Sequence, residues 1–381
     1  MKILVTGAKG FIGKNLCLIL REEGHEVFEY DLGATEDDLR NFAHSADFVI
    51  HLAGVNRPLF PEEFLDGNVN FTKKLLDFLD QYGHKAPIIF SSSTQAALDN
   101  PYGKSKKMAE DQLFEYSKKT GTPVYVYRLY NVFGKWCRPN YNSVIATWCY
   151  NAANNLPLQI NQLAPAIDFV YIDDIIAELL RVIENQPKPT DEIMHVEPHY
   201  TEKLEDIAAA LDTFKKSREN DMVPELKEGF YKKLYSTYLS YLPEDQFSYD
   251  LVMHKDIRGS FTEAFKTPTY GQVSVNVSKP GITKGNHYHM SKNEKYLVVT
   301  GTCLIKLRKA TDDKVISYTC DGKDLKVVDI PPGYTHNITN IGKEDSVTVM
   351  WANELYDPDH PDTYFLPVEK EDAVATKGPK K

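Results

Sequence analysis

The sequence contains no long hydrophobic run, and none of its apolar stretches approaches the roughly 20 residues a helix needs to cross a bilayer. Insertion into a membrane through a helix is therefore excluded. The opening MKILVTGAKG has no basic start, apolar stretch or small-residue cleavage site, so it does not read as a signal peptide. Cysteine is scarce and unpatterned. Cys17, Cys137, Cys149, Cys303 and Cys320 are odd in number and form no CxxC pair, which excludes a disulfide frame and points to reduced thiols in the cytoplasm. Positive charge is also short. With 44 Lys and Arg against 54 Asp and Glu, the net charge of −10 argues against nucleic acid and anionic membrane as partners. A local basic pocket for a diphosphate is compatible with that balance.

What remains is the composition of a soluble globular protein, and 381 residues exceed what one ordinary core organises, so two domains are expected. Up to about residue 185, short apolar runs (Ile3–Thr6, Glu26–Tyr30, Phe48–Leu52, Pro87–Ser91, Val124–Leu129) alternate with helical stretches. That pattern predicts an α/β domain, a Rossmann-type doubly wound parallel sheet with helices on both sides. A proline-broken stretch follows, then a segment in which Tyr231, Tyr235 and Tyr238 share a helical face and should pack against a domain or a second subunit. Beyond Pro243, alternating runs such as Gln272–Ser278, Glu294–Val299, Cys303–Leu307, Lys326–Ile330 and Ser346–Trp351 predict an all-β barrel or sandwich. The expected division is 1–243, 244–368 and a disordered polar tail, 369–381.

After the first predicted strand comes Gly7-Ala-Lys-Gly10-Phe11-Ile12-Gly13. Without side chains at the glycines, backbone amides can approach a pyrophosphate at the positive end of the next helix. Asp31 ends the second strand, where a carboxylate can accept from a ribose 2′-hydroxyl and repel a 2′-phosphate, so it leans towards NAD(H). Ser91-Ser92-Ser93 closes a later strand, and Tyr102-Gly-Lys-Ser-Lys106 follows. YxxxK spacing puts phenol and ammonium one turn apart on one face, so the lysine favours proton exchange between the tyrosine and a substrate oxygen.

These residues, with HLAG (His51–Gly54), YRLYNVFG (Tyr127–Gly134) and FVYIDD (Phe169–Asp174), resemble the extended short-chain dehydrogenase/reductase family, which acts on nucleotide sugars. The resemblance implies that Tyr102 and Lys106 are catalytic, with Ser93 as the third member and Ser92 or Thr94 as alternatives. It also implies a cofactor site at the glycine turn that includes Leu52, Ala53 and Lys106, and a sugar-nucleotide contact at Asn131.

The second half carries His287-Tyr-His289, Glu294 and His336. Alternate strand residues point to one side, so both early histidines can enter one interior. Three nitrogens and one oxygen suit zinc, nickel, iron or manganese. The spacing resembles both motifs of the cupin family, which implies a cupin β-barrel holding one divalent metal, with zinc the first choice. Asp256-Ile-Arg258-Gly-Ser-Phe-Thr-Glu263 resembles the start of sugar-nucleotide 3,5-epimerases, implying that Arg258 meets a diphosphate and Glu263 a uracil. An Arg–Glu surface pair is the plain alternative. For the acid and base of this half, Tyr288, Lys292 and Tyr296 are all in reach.

The order of the two halves resembles bacterial enzymes of capsular-polysaccharide synthesis, up to about residue 366. That resemblance implies C3 epimerisation of a UDP-4-keto-6-deoxy sugar followed by reduction at C4, with NADP(H) as reductant, in a homodimer. A single-activity ketoreductase with a structural or dimerising cupin is the alternative.

Overall fold

The computed structural model describes residues 1–83, 85–160, 165–188, 193–226 and 228–369. Residues 370–381, most of the expected tail, lie outside them. Among the described residues the chain forms two compact units, 1–212 with 228–244 and 213–226 with 245–369. The segment 213–226 thus groups with the second unit, unlike a single cut at 243/244. The reason is a backbone ladder: Val223 N donates to Lys266 O at 2.7 Å, and Lys266 N donates to Asp221 O at 3.0 Å. Periodicity in one segment carries no sign of such a distant partner.

The first unit is built on β1 (Lys2–Thr6), β2 (Glu26–Tyr30), β3 (Phe48–His51), β4 (Ile88–Ser93) and β5 (Val124–Leu129). All pair in parallel, in the order β2-β1-β3-β4-β5. The helices are α1 (Phe11–Glu22), α2 (Glu36–Ser45), α3 (Phe71–Gln81), α4 (Pro101–Thr120), α5 (Val144–Ala153), α6 (Ile172–Asn185), α7 (Leu204–Ser217) and α8 (Phe230–Leu239). Because alternate side chains take opposite faces, Leu4, Val49, Ile88, Phe90, Val124 and Val126 form one core with α2, α3 and α4. Ile3, Val5, Ile50, Ile89, Tyr125 and Tyr127 are buried on the other face, where α1 packs on β1, β2 and α6. Burial on both faces explains why the strands read as continuous apolar runs. Strand order reverses between β1 and β3, and ligands of such sheets sit in the crevice at the strands' carboxyl ends there. A small sheet of β6 (Asn131–Phe133), β7 (Ile167–Tyr171) and β8 (Tyr200–Glu202) completes this unit. The tyrosine face on α8 is partly inward: Tyr238 is buried, and Tyr231 donates to Glu202 at 3.0 Å.

The named strands of the second unit all pair antiparallel. Its strands are β9 (Met253–Asp256), β10 (Gly259–Thr267), β11 (Gly271–Ser278), β12 (Thr283–Tyr288), β13 (Glu294–Thr300), β14 (Thr302–Lys309), β15 (Val315–Asp321), β16 (Val327–Ile330), β17 (Tyr334–Asn340), β18 (Ser346–Ala352) and β19 (Tyr364–Phe365). They lie in two sheets, β16-β13-β18-β11-β10-β9 and β15-β14-β17-β12-β19. The sheets share one core, in which Tyr296, Val298 and Ile330 from the first meet Ile305, Leu307 and Ile338 from the second. The expected all-β half is present as two facing sheets.

Candidate functional site

The glycine turn sits where β1 feeds α1. Gly7 has φ +72°, and a Cβ there would lie 2.8 Å from the Ala53 amide nitrogen; at Gly13 it would lie 2.2 Å from Gly7 O. Only bare backbone fits, which brings Leu52 and Ala53, at the end of β3, against the turn. The N-terminus of α1, with Phe11 and Ile12 in its first turn, has no side-chain cap and no acidic residue. By contrast α2 is closed by a Thr35–Asp38 capping box and α4 by Asn100. Free amides at the positive end of a helix between two glycine-lined strand ends fit a dinucleotide pyrophosphate. Asp31 has a local duty: its Oδ2 accepts from Lys9 N and its Oδ1 from Leu32 N, both at 2.7 Å.

Packing gives neighbouring serines different partners. Ser92 Oγ donates to Glu110 at 2.5 Å, and Glu110 is fully buried under the bidentate fork of Arg128. That hydroxyl is committed to the core. Ser93 is the serine close enough to the Tyr102 phenol to lower its pKa, against the larger rise from burial. The approach depends on Gly103: a Cβ there would lie 2.1 Å from Gln95 O, so α4 begins tight against the turn that follows Ser93. One helical turn on, Lys106 Nζ donates to Ser91 O at 2.9 Å and stands 4.7 Å from the Phe90 ring centroid. Burial pushes the Lys106 ammonium down to about 8.

Two residues to which the sequence assigned no role of their own hold this corner. Asn68 Nδ2 donates to Val55 O and Ser105 Oγ while its Oδ1 accepts from Val55 N, tying the loop after β3 to α4. His51, buried between the hydroxyls of Thr6 and Thr72, is pushed down to about 3 by burial and by the Lys106 charge, so it stays neutral. Asn131 is exposed and donates to Asp168 O at 3.0 Å.

In the second unit, β12 and its following turn bring His287 and His289, β13 brings Glu294 and β17 brings His336. One ligand atom from each lies within 4.8 Å of all the others. The buried Nε2 atoms of His289 and His336 are 3.5 and 3.2 Å from Glu294 Oε2, yet neither is aligned for a hydrogen bond. The ring nitrogens behind them are occupied: His289 Nδ1 pairs with Asp362 O at 2.6 Å and His336 Nδ1 with Tyr334 O at 3.3 Å. Tyr296 donates to Glu294 at 3.1 Å. Outer partners of this kind aim ligand atoms inward, and three imidazoles with one carboxylate fit a divalent ion. Burial opposes ionisation of Glu294, but the flanking imidazoles outweigh it and hold its carboxyl well below the usual range. His287 is pushed down to about 4 by burial and by the other two imidazoles.

A cavity of about 630 Å³ opens on this cluster, bordered also by Glu263, Lys292 and Tyr296. Tyr288 instead stacks on Tyr364, with centroids 5.3 Å apart. Arg258 is clamped on Asp256, Nε to Oδ2 at 2.9 Å, and borders an adjoining cavity of about 210 Å³. Glu263 accepts from Lys266 at 3.2 Å and from Gln272 at 3.3 Å. Lys284, common to both cavities, was missed in the sequence. The ladder slips between Gly285 and His287, with Asn286 at φ +63° as the extra residue. That bulge turns Lys284 to the same side as His287 despite their odd spacing.

Residues 3–196 match the NAD dependent epimerase/dehydratase family, and residues 254–364 match the polysaccharide biosynthesis C-terminal domain. Over 369 residues the chain is 44% identical to the UDP-2-acetamido-2,6-beta-L-arabino-hexul-4-ose reductase of Pseudomonas aeruginosa, covering 97% of this chain and 99% of that protein. The crystal structure of the capsular polysaccharide assembling protein CapF from Staphylococcus aureus matches with a TM-score of 0.91 and 51% identity, over 96% of this chain and 100% of that one. CapF with the inhibitor 3-isopropenyl-tropolone matches with a TM-score of 0.85, 47% identity and the same coverage. Among the described residues no helix is long and apolar enough to cross a membrane. With its glycine-cradled strand ends, its Ser93–Tyr102–Lys106 corner and these matches along its length, the chain belongs to the NAD dependent epimerase/dehydratase family, uses a nicotinamide cofactor and shares the two-part architecture of CapF.

Proposed function

We propose that the chain is a bifunctional cytoplasmic enzyme of capsular or surface polysaccharide synthesis. In this reading the second unit, a cupin, epimerises C3 of UDP-2-acetamido-2,6-dideoxy-β-L-arabino-4-hexulose. The first unit then reduces the C4 ketone to UDP-2-acetamido-2,6-dideoxy-β-L-talose, a precursor of UDP-N-acetyl-L-fucosamine. The carrying observation is that Lys106, one turn after Tyr102, donates to Ser91 O and so sets the start of this helix against the strand end that holds Ser93. Support for the substrate comes from the 44% identical Pseudomonas aeruginosa reductase, whose name specifies that ketone.

In the reduction, a nicotinamide held at the glycine turn would supply hydride for C4. Ser93 orients the ketone oxygen and Tyr102 donates its phenolic proton to it, while the Lys106 ammonium steadies the phenolate that remains. Burial keeps the Tyr102 phenol protonated until that moment. In the epimerisation, the same carbonyl acidifies the hydrogen on C3. A divalent metal at His287, His289, Glu294 and His336, with zinc the first choice, would polarise that carbonyl. The cavity beside the cluster supports a catalytic over a purely structural role, because a closed structural site needs no adjoining space.

NADPH is the proposed reductant, as the resemblance to capsular-polysaccharide enzymes implies. NADH is the second reading, favoured by the position of a carboxylate at the end of β2. Product analysis by NMR from the UDP-4-keto sugar, with each reductant in turn, tests the whole scheme. Talose product formed with NADPH supports it, and no reduction with either cofactor sinks it. A homodimer is also proposed, and sedimentation at micromolar concentration tests it.

A further inference from the structure

Of the nine arginines in the chain, seven meet a carboxylate or a backbone carbonyl: Arg21, Arg40, Arg128, Arg181, Arg218, Arg258 and Arg308. Arg57 and Arg138 do not. Among the described residues, each guanidinium has only an aromatic ring for company, and it is the same ring, that of Tyr141, at 6.0 and 5.3 Å from the centroid. In a chain of net charge −10, two cations gathered on one ring without a carboxylate are out of pattern.

Their position is defined by the catalytic corner. Arg57 lies in the loop that leaves β3 at Gly54, where an added Cβ would stand 3.1 Å from Lys106 Nζ. The same loop ends at Phe64, whose ring centroid is 5.8 Å from that of Tyr102. Arg138 and Tyr141 lie in the loop after β6, and the Tyr141 phenol is close enough to Tyr102 to oppose its ionisation. The Arg57 loop leaves the carboxyl end of a strand in the parallel sheet, the edge where such sheets take ligands, and the shared Tyr141 ring brings Arg138 beside it. In a nucleotide sugar the diphosphate hangs from C1, across the ring from the C4 carbonyl, so its grip must lie about one sugar ring from the proton donor. Guanidinium forks pair bidentately with phosphate oxygens, and stacking on an aromatic face holds them ready.

We propose that Arg57 and Arg138, both seated on the ring of Tyr141, grip the diphosphate of the nucleoside-diphosphate sugar in the reductase unit. The inference rests on the reading of Tyr102 as the proton donor to that sugar.

The test uses the full chain and UDP as probe. Trp136, two residues from Arg138 and about half exposed, is the local reporter. A Trp351→Phe background removes the tryptophan of the second unit. UDP should change the fluorescence saturably, and Arg57→Gln and Arg138→Gln should each weaken its binding about tenfold or more. Arg57→Lys and Arg138→Lys, which keep the charge, should fall between. In turnover, KM for the keto sugar should rise by a similar factor, with kcat and the KM for the nicotinamide cofactor within about twofold. Equal UDP affinity in parent and Gln variants overturns the proposal, as does a loss shared equally by nicotinamide binding. If arginine-dependent UDP binding survives where no ketone is reduced, the catalytic reading fails and the anion site stands.

Discussion

The Nζ of Lys106 donates to the carbonyl oxygen of Ser91 at 2.9 Å, so the lysine one turn after Tyr102 is anchored to the strand that ends at Ser93. Strand end and helix are locked as one piece. The anchor leaves Lys106 buried and its ammonium at about 8.

A pH dependence follows with a definite sign. The ammonium is present below about pH 8 and lost above it, while an exposed lysine keeps its proton to about 10.4. Ketone reduction should fall about tenfold per pH unit beyond 8. Stability moves the other way: between the two values the unfolded chain binds more protons, so Lys106 favours the folded state increasingly as pH rises. Rate profiles beside near-ultraviolet circular dichroism separate the two, and a flat rate to pH 10 would contradict the role of Lys106.

Ser92 and Ser93 should part company on substitution. Ser93→Ala is expected to lower kcat roughly 10²-fold, the scale of losing a donor at the reacting oxygen. Ser92→Ala removes a hydrogen bond to the buried Glu110, which costs about 1.5–3 kcal/mol of stability with kcat nearly unchanged. Thermal melts and steady-state kinetics on both variants check this, and a reversed pattern would move the catalytic hydroxyl to Ser92.

The division of labour between the units is open to a crossed experiment. Tyr102→Phe should abolish hydride transfer and leave solvent deuterium entering at C3. His287→Ala should stop that exchange, while reduction of an already epimerised ketone persists. If both variants lose only reduction, the second unit is not the epimerase.

Metal content offers a measurement independent of turnover. One divalent ion per chain is expected by elemental mass spectrometry, with zinc predominating. His336→Ala should weaken retention by at least about tenfold, and substituting Asp362, whose carboxylate accepts the amides of Met290, Ser291 and Lys292 just after His289, should change it less. Full occupancy in His336→Ala would remove that histidine from the ligand set.

Much of both sites was legible in the chain because their chemistry is written in short spacings. Gly7, Gly10 and Gly13 announce a turn that only bare backbone can make, and Tyr102 with Lys106 announces one face of a helix. His287 and His289 announce one side of a strand. Each pattern is local, so the backbone period alone brings the residues together.

Packing between distant segments decided the rest. Ser92 and Ser93 are chemically alike, and they were told apart by Glu110 and Arg128 claiming one of them for the core. Lys284 faces the histidines through a bulge that no periodicity reports. Residues 213–226 join the second unit through a ladder to Lys266, and Arg57 meets Arg138 on a ring 84 and 3 positions away. Composition and spacing determined that this chain has a glycine turn between strand and helix, a Tyr102–Lys106 pair on one helical face and a group of histidines with a glutamate. Which neighbours each group would have was decided only by folding, because contacts between remote segments depend on the whole core and not on any one stretch.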